Sequence, residues 1–250
     1  KFLDELRIVE EPNITTPKPN QESYTKITFL PKYSLFKYPI KTHHKTFNKI
    51  LLSRAYFAKA FVNSKVSYNG KDISIKRFTD FCKLFSDNPD NDIIPYCISK
   101  STKYEEYPWD VSVMLSDGSS RQVSIVNGVY IRQGGSHIQH IQKLIVDGIK
   151  DKVEKEIKKS GVKFNKNMIL NNLIIFMKGY IVNPQFPSQT KDQISNPIDK
   201  FTSYSLSDKF IDQCWLLLKE NILSSILTLQ LGPEKTRVSR MRIDVPHYTE

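Results

Sequence analysis

Ten residues, Leu173 to Val182, read LIIFMKGYIV. They show too little polar alternation for a half-exposed strand, and a strand buried on both faces fits them. The rest of the chain has to cover such a strand, and several stretches have the apolar periodicity to do so. Ile138, Ile141, Ile145, Ile149, Val153 and Ile157, spaced by three once and by four thereafter, predict a long helix. Ser136 stands at its start as an N-cap and Gly161 at its end as a C-cap. Leu206, Phe210, Cys214, Leu217, Leu218, Ile222 and Ile226 predict a second long helix over Ser205 to Leu231. A third, with Thr42 as its N-cap, carries Phe47, Ile50, Leu51, Ala55, Ala58 and Phe61. Ser74 would cap a shorter one bearing Phe78, Phe81, Cys82 and Phe85.

The remaining pattern is strand and loop. YTKITFLP, from Tyr24, alternates and is closed by Pro31, which predicts a short strand. Asn69-Gly70 predicts a tight turn between two short extended pieces. WDVSVML places Trp109, Val111, Val113 and Leu115 on one face of a strand. SDGSS then turns the chain, and RQVSIVNGVYI returns with Val123, Ile125 and Ile131 inward, so a hairpin is expected. Residues 1–23 and 86–92 read as loop, and Lys166 to Asn171 as a short helical turn. Helices mixed with strands that include an antiparallel hairpin predict an α+β fold rather than a doubly wound sheet.

The chain has 250 residues and a formal net charge of +11, which points to an acidic partner, nucleic acid being the usual one. Cys82, Cys97 and Cys214 have neither zinc nor disulfide spacing, which fits a reduced intracellular compartment. No apolar run reaches the roughly 18 residues of a membrane span, and no signal peptide opens the chain. The chain starts without methionine, so a segment of a longer polypeptide is expected.

Catalytic patterns are few. His137 and His140, three apart, lack a third ligand at useful spacing, and no metal site is expected. Gly134-Gly135 before a helix start could offer N–H groups to a phosphate, but a turn with positive φ and close packing is the favoured reading. Lys150, Lys152, Lys155, Lys158 and Lys159 form a basic helix face. That face could track a DNA backbone or be merely solvated, and the same holds for Lys235, Arg237, Arg240 and Arg242 in the tail. The loop NPQFPSQTK, Asn183 to Lys191, carries one lysine at its tip. On the residues alone Lys191 is a surface lysine.

Taken in order, SIVNGVYIRQGGSHI, NPQFPSQTK and FTSYSLSDKF resemble the transducer part of type II DNA topoisomerases of eukaryotic and large-virus type. YTKITFLP, the helix holding Arg54-Ala55-Tyr56, and VSYNGKDI resemble the last elements of that family's GHKL nucleotide-binding domain. The resemblance implies an α+β chain with residues 1–73 as the C-terminal portion of a GHKL ATPase domain. Residues 74–250 would then be a ribosomal-S5-domain-2-like transducer. It implies that Lys191 reaches the γ-phosphate of ATP with Gln189 beside it and Thr190 contributing through its backbone. Closure of the two domains on ATP would depend on that contact.

The family's DNA-contacting lysine triplet falls at Lys155-Glu156-Ile157, where only Lys155 is kept; Lys152, Lys158 and Lys159 could replace the lost charge. The family's Pro-Asp is here Pro31-Lys32. Its acidic-Asn helix, Asp-x-Gly motif, glycine-rich lid and DNA-cleaving tyrosine are not matched, so ATP and Mg2+ would be bound mainly by other parts of the enzyme. The implied partners are double-stranded DNA and a second protomer, with no membrane. The implied location is intracellular, in the nucleus or, for a viral enzyme, in host cytoplasm or a virus factory. The rival expectation is a stand-alone basic DNA-binding module without nucleotide chemistry.

Overall fold

The computed structural model describes residues 2–3, 8–11, 13–16, 23–29, 40–87, 89, 94–158 and 160–235. Side chains are described for residues 10–11, 13–16, 23–29, 45–87, 89, 94–158 and 160–227. The chain divides into two units, residues 1–46 and 47–250.

In the first unit, β1 (Phe2–Leu3) pairs antiparallel with β2 (Ile8–Val9), so the stretch expected to be all loop contains a small ladder. Residues 23–29 form no strand, against expectation, and Tyr24, Ile27 and Phe29 are exposed. Alternation alone does not make a strand: without a neighbouring ladder its backbone groups stay with water.

The second unit is organised about one sheet. α1 (Ile40–Phe61) begins two residues before the expected Thr42 and leads into it from the first unit. β3 (Ser67–Tyr68) and β4 (Lys71–Asp72) follow, joined as expected by Asn69-Gly70 with φ of 49° and 76°. α2 (Phe78–Cys82) continues as a 3-10 turn to Phe85. Its cap is Arg77, not Ser74: the Arg77 N–H donates to Asp80 Oδ2 at 3.0 Å and the two side chains pair. Next come β5 (Tyr96–Ser99), β6 (Trp109–Leu115), β7 (Arg121–Val126), β8 (Val129–Ile131) and β9 (Gly134–Gly135). After them run α3 (Ser136–Ile157), α4 (Asn167–Leu170), β10 (Leu173–Gly179), β11 (Gln193–Ile194) and α5 (Asp208–Lys235).

The strand order is β5-β6-β10-β7-β8. The expected hairpin of β6 with β7 therefore does not form: β10 lies between them, antiparallel to β6 and parallel to β7. The apolar run explains the insertion, because β10 is the strand with most to gain from the central position. Leu173, Ile175 and Met177 turn to one core with Trp109, Val111, Val113, α3 and α5. Ile174 and Phe176 turn to another with Met114, Val123, Ile125, α1 and α2. The hairpin in this region is β7–β8, across Asn127-Gly128 with φ of 51° and 80°.

The stripe of α3 is buried as its spacing requires, from Ile138 through Ile157. Each such side chain contributes roughly 1.5–3 kcal/mol by leaving water. Ser136 is the first helical residue rather than the cap; Gly135 holds the cap position. α5 starts at Asp208, three residues past the expected Ser205, and buries Phe210, Cys214, Leu218, Ile222 and Ile226. α1 packs through Leu52, Ala55, Tyr56, Phe57, Ala60 and Phe61. Phe47, Ile50, Leu51 and Ala58, counted with its buried stripe from the spacing, are exposed.

Candidate functional site

The stretch Asn183–Lys191 leaves the end of the central strand, which makes β10 its stem. Two of its residues, Asn183 (φ 48°) and Lys191 (φ 54°), are left-handed without being glycine. Such residues are uncommon and persist where the surroundings over-determine them. The tip is a turn in which the Lys191 N–H donates to Ser188 O at 3.1 Å. Ser188 and Thr190 hydroxyls share a hydrogen bond of 2.7 Å.

Gln189, Thr190 and Lys191 are all exposed. The Lys191 ammonium lies 5.6 Å from the centroid of the Phe186 ring. Among the described residues no carboxylate pairs with it: the adjacent Asp192 is turned to Arg132 at 3.6 Å. The structure thus places the three loop candidates together, at an exposed tip where Lys191 forms no ion pair among the described residues.

The legs of the loop are firmly tied. Asn127 bonds both backbone polar groups of Ile181, at 2.8 and 3.1 Å. Buried Asn196 accepts from the Gln185 N–H at 3.0 Å and donates to Asn183 O at 3.2 Å. Lys200 donates to Val182 O and Asn183 O. On the return, the Gln133 N–H donates to Asp192 O at 2.8 Å, and β11 pairs in parallel with β9. A Cβ on Gly135 would stand 2.1 Å from Ile194 O, and its φ is 132°. Gly134-Gly135 therefore serves backbone packing, the reading favoured over phosphate binding. Asn127, Asn196 and Lys200 were not among the sequence candidates.

The second candidate set is elsewhere. From Ser136 to Lys155 α3 rises about 28 Å at ~1.5 Å per residue, which separates the lysine face from the helix start beside the loop. Lys152 is paired with Asp212 of α5, and Lys150 with Glu154 at 3.6 Å. Lys155 and Lys158 are exposed and form no ion pair among the described residues. Lys159 and the tail arginines lie outside the described residues, as does the Lys235 side chain.

Neither histidine is placed as a metal ligand. Buried His137 shares a 3.1 Å hydrogen bond between Nε2 and Ser124 Oγ, and burial holds its pKa down at about 3. His140 Nε2 meets Tyr204 O at 3.0 Å. Among the described residues no cluster of three or more His, Cys, Asp or Glu side chains could hold a metal ion. The three cysteines are free and buried, and burial pushes the Cys82 thiol up to about 12. No helix among the described residues is long and apolar enough to cross a membrane.

A family model described as DNA gyrase B matches residues 75–242. The probable DNA topoisomerase 2 of Dictyostelium discoideum is 31% identical over 242 residues, covering 96% of this chain and 15% of the relative. DNA topoisomerase 2 of Acanthamoeba polyphaga mimivirus is 27% identical over 244 residues, with coverages of 96% and 18%. Among solved structures, the ATPase region of Saccharomyces cerevisiae topoisomerase II superposes with a TM-score of 0.59 at 26% identity. That match covers 71% of this chain and 44% of that one. The ATPase and transducer domains of topoisomerase II from Balamuthia mandrillaris share the fold, with a TM-score of 0.60 at 24% identity over 73% and 45% of the two chains. The chain thus spans less than a fifth of the length of these two curated relatives.

Proposed function

This chain belongs to the DNA gyrase B family, and from that premise we propose that it is the coupling segment of an ATP-dependent type II DNA topoisomerase. Residues 1–73 are read as the end of the GHKL nucleotide-binding domain and 74–250 as the transducer. The segment links ATP binding and hydrolysis to closure of a gate between two protomers, through which one DNA duplex passes another. The observation that carries this reading is the exposed Lys191 ammonium, without a carboxylate partner among the described residues, on a loop whose legs are tied to the β7–β8 turn and to β9.

ATP supplies the phosphoryl group to be transferred. Lys191 lies against the γ-phosphate and stabilises the charge that develops on it, with Gln189 and Thr190 orienting the tip. A cation in this role contributes on the order of 10³–10⁵ in rate when it acts as an arginine finger does. Because the cation rides on a body separate from the rest of the pocket, losing the γ-phosphate releases the contact and frees the domains to part. The only carboxylate in residues 183–192 is Asp192, held by Arg132, so this loop does not fit a Mg2+ ligand and metal binding falls to other parts of the enzyme.

Lys155 and Lys158 are the residues read as meeting DNA phosphates. Lys159 belongs with them by sequence, whereas Lys152 is engaged with Asp212. An intracellular location, in the nucleus or in a viral replication site, follows from a DNA substrate. Lys191→Ala in the full-length enzyme tests the proposal. ATP turnover should fall by about 10³-fold or more, strand passage should fail and DNA cleavage should survive. Wild-type turnover in that variant would refute the role of Lys191.

A further inference from the structure

We infer that Asn127 and Asn196 are positioning residues for Lys191, fixing the legs of its loop through their side-chain amides. The inference rests on the reading of Lys191 given above.

The parallel register of β10 and β7 ends at the pair Gly179 and Val126. Beyond it Asn127 turns away with a left-handed φ of 51°, its N–H donating to Gly179 O at 3.1 Å. Its side chain then replaces the strand residue that is no longer there. Oδ1 accepts from the Ile181 N–H at 2.8 Å, and Nδ2 donates to Ile181 O at 3.1 Å. Both polar groups of Ile181 are held by an amide 54 residues away.

Asn196, only 3% exposed, makes the corresponding bracket on the next stretch. It accepts from the Gln185 N–H at 3.0 Å and donates to Asn183 O at 3.2 Å, while the Ser195 N–H donates to Gln185 O at 2.9 Å. The return leg is held from Asp192 onward by Gln133 and β9. What is left between the brackets is Phe186 to Lys191, already bent by the Ser188–Lys191 turn. The backbone from which the Lys191 side chain extends is set by ties at either side of it.

Aspartate keeps the shape of asparagine but carries no N–H. At either position it sets a carboxylate oxygen against a carbonyl oxygen, and at residue 127 it still tolerates the left-handed conformation. A misplacement of about 1 Å at a reacting centre can lower a rate about 10²-fold.

The test is a pair of double-mutant cycles in the full-length enzyme, Asn127→Asp and Asn196→Asp each crossed with Lys191→Ala. Each asparagine variant should lower kcat for ATP hydrolysis about ten- to hundred-fold. Affinity for a non-hydrolysable ATP analogue should stay within about threefold of wild type. In the Lys191→Ala background neither should add a further loss, because the group being positioned is gone. Losses that multiply in the doubles, or wild-type kcat in both asparagine singles beside an impaired Lys191→Ala, overturn this inference alone. Wild-type turnover in Lys191→Ala overturns the reading beneath it, and this inference as well. Should Asn196→Asp fail to fold, the Asn127 cycle, on an exposed turn, decides the matter by itself.

Discussion

Gly135→Ala is the substitution whose consequences the structure defines most closely. At φ 132° the residue occupies a region that alanine rarely enters, at a conformational cost of about 1–3 kcal/mol. The new Cβ would stand 2.1 Å from Ile194 O, 2.8 Å from its N and 2.9 Å from its carbonyl carbon. These are backbone atoms and cannot rotate away, so β9 and β11 have to separate. The polar groups thereby left without partners cost a further ~1–3 kcal/mol. The sum is about 2–6 kcal/mol, and at roughly 2–4 °C per kcal/mol for a chain of this size the melting temperature should fall by about 8–16 °C at the midpoint.

Gly161→Ala is the control. Its φ is 70° and nothing lies within 4 Å of the added Cβ, so only the left-handed strain of about 1–2 kcal/mol applies. Both variants of the 250-residue chain should be melted alongside wild type, followed by circular dichroism. A Gly135→Ala midpoint within about 2 °C of the Gly161→Ala midpoint would show that the β9–β11 junction yields freely, and the account of that junction would be wrong.

Two further outcomes are expected. His137 stays neutral in the fold down to a pKa of about 3, whereas the unfolded chain takes up a proton near the ordinary 6.5. Its depressed pKa therefore costs nothing above pH 6.5 and removes stability as pH falls from there toward 3, by up to about 1.4 kcal/mol per unit. Urea unfolding across that range should lose this component of its slope in His137→Gln, and an unaltered slope would refute the assignment. On α3, Lys155→Glu and Lys158→Glu should each flatten the salt dependence of DNA binding by about one unit of log K against log salt. Lys152→Ala should have a smaller effect, since Asp212 already occupies that ammonium; equal effects at all three positions would contradict the distinction.

What could be read from sequence was what depends on neighbours along the chain. The α3 stripe, the buried character of Leu173–Gly179 and the Asn69-Gly70 turn rest on local spacing, and each is present. Strand partners are not local. SDGSS joins two apolar strands as a hairpin turn would, and nothing within it says that a strand beginning 53 residues after Ser120 will come between them. Asn127-Gly128 carried the same signal as Asn69-Gly70 but was hidden inside a continuous apolar pattern. At the loop, Gln189, Thr190 and Lys191 stood out as a motif. The bracing roles of the asparagines did not: Asn127 lies 54 residues from its partner Ile181, and Asn196 reaches back 11 and 13 residues across an irregular loop with no periodicity to mark it. α1 misled for another reason: a helix with apolar residues around more than one side has two possible inner faces.

The central position of β10 bears on how the molecule is made. β6 and β7 leave the ribosome first, and the edge that each turns toward the other stays unpaired until Leu173–Gly179 follows. At roughly 5–20 residues per second the interval is on the order of 2–10 s, long compared with hairpin closure in microseconds. During that time the turn at residues 116–120 brings together two apolar edges that can pair with each other. A newborn chain can thus enter the wrong neighbour pairing first, and must open it again to admit the strand that completes the sheet.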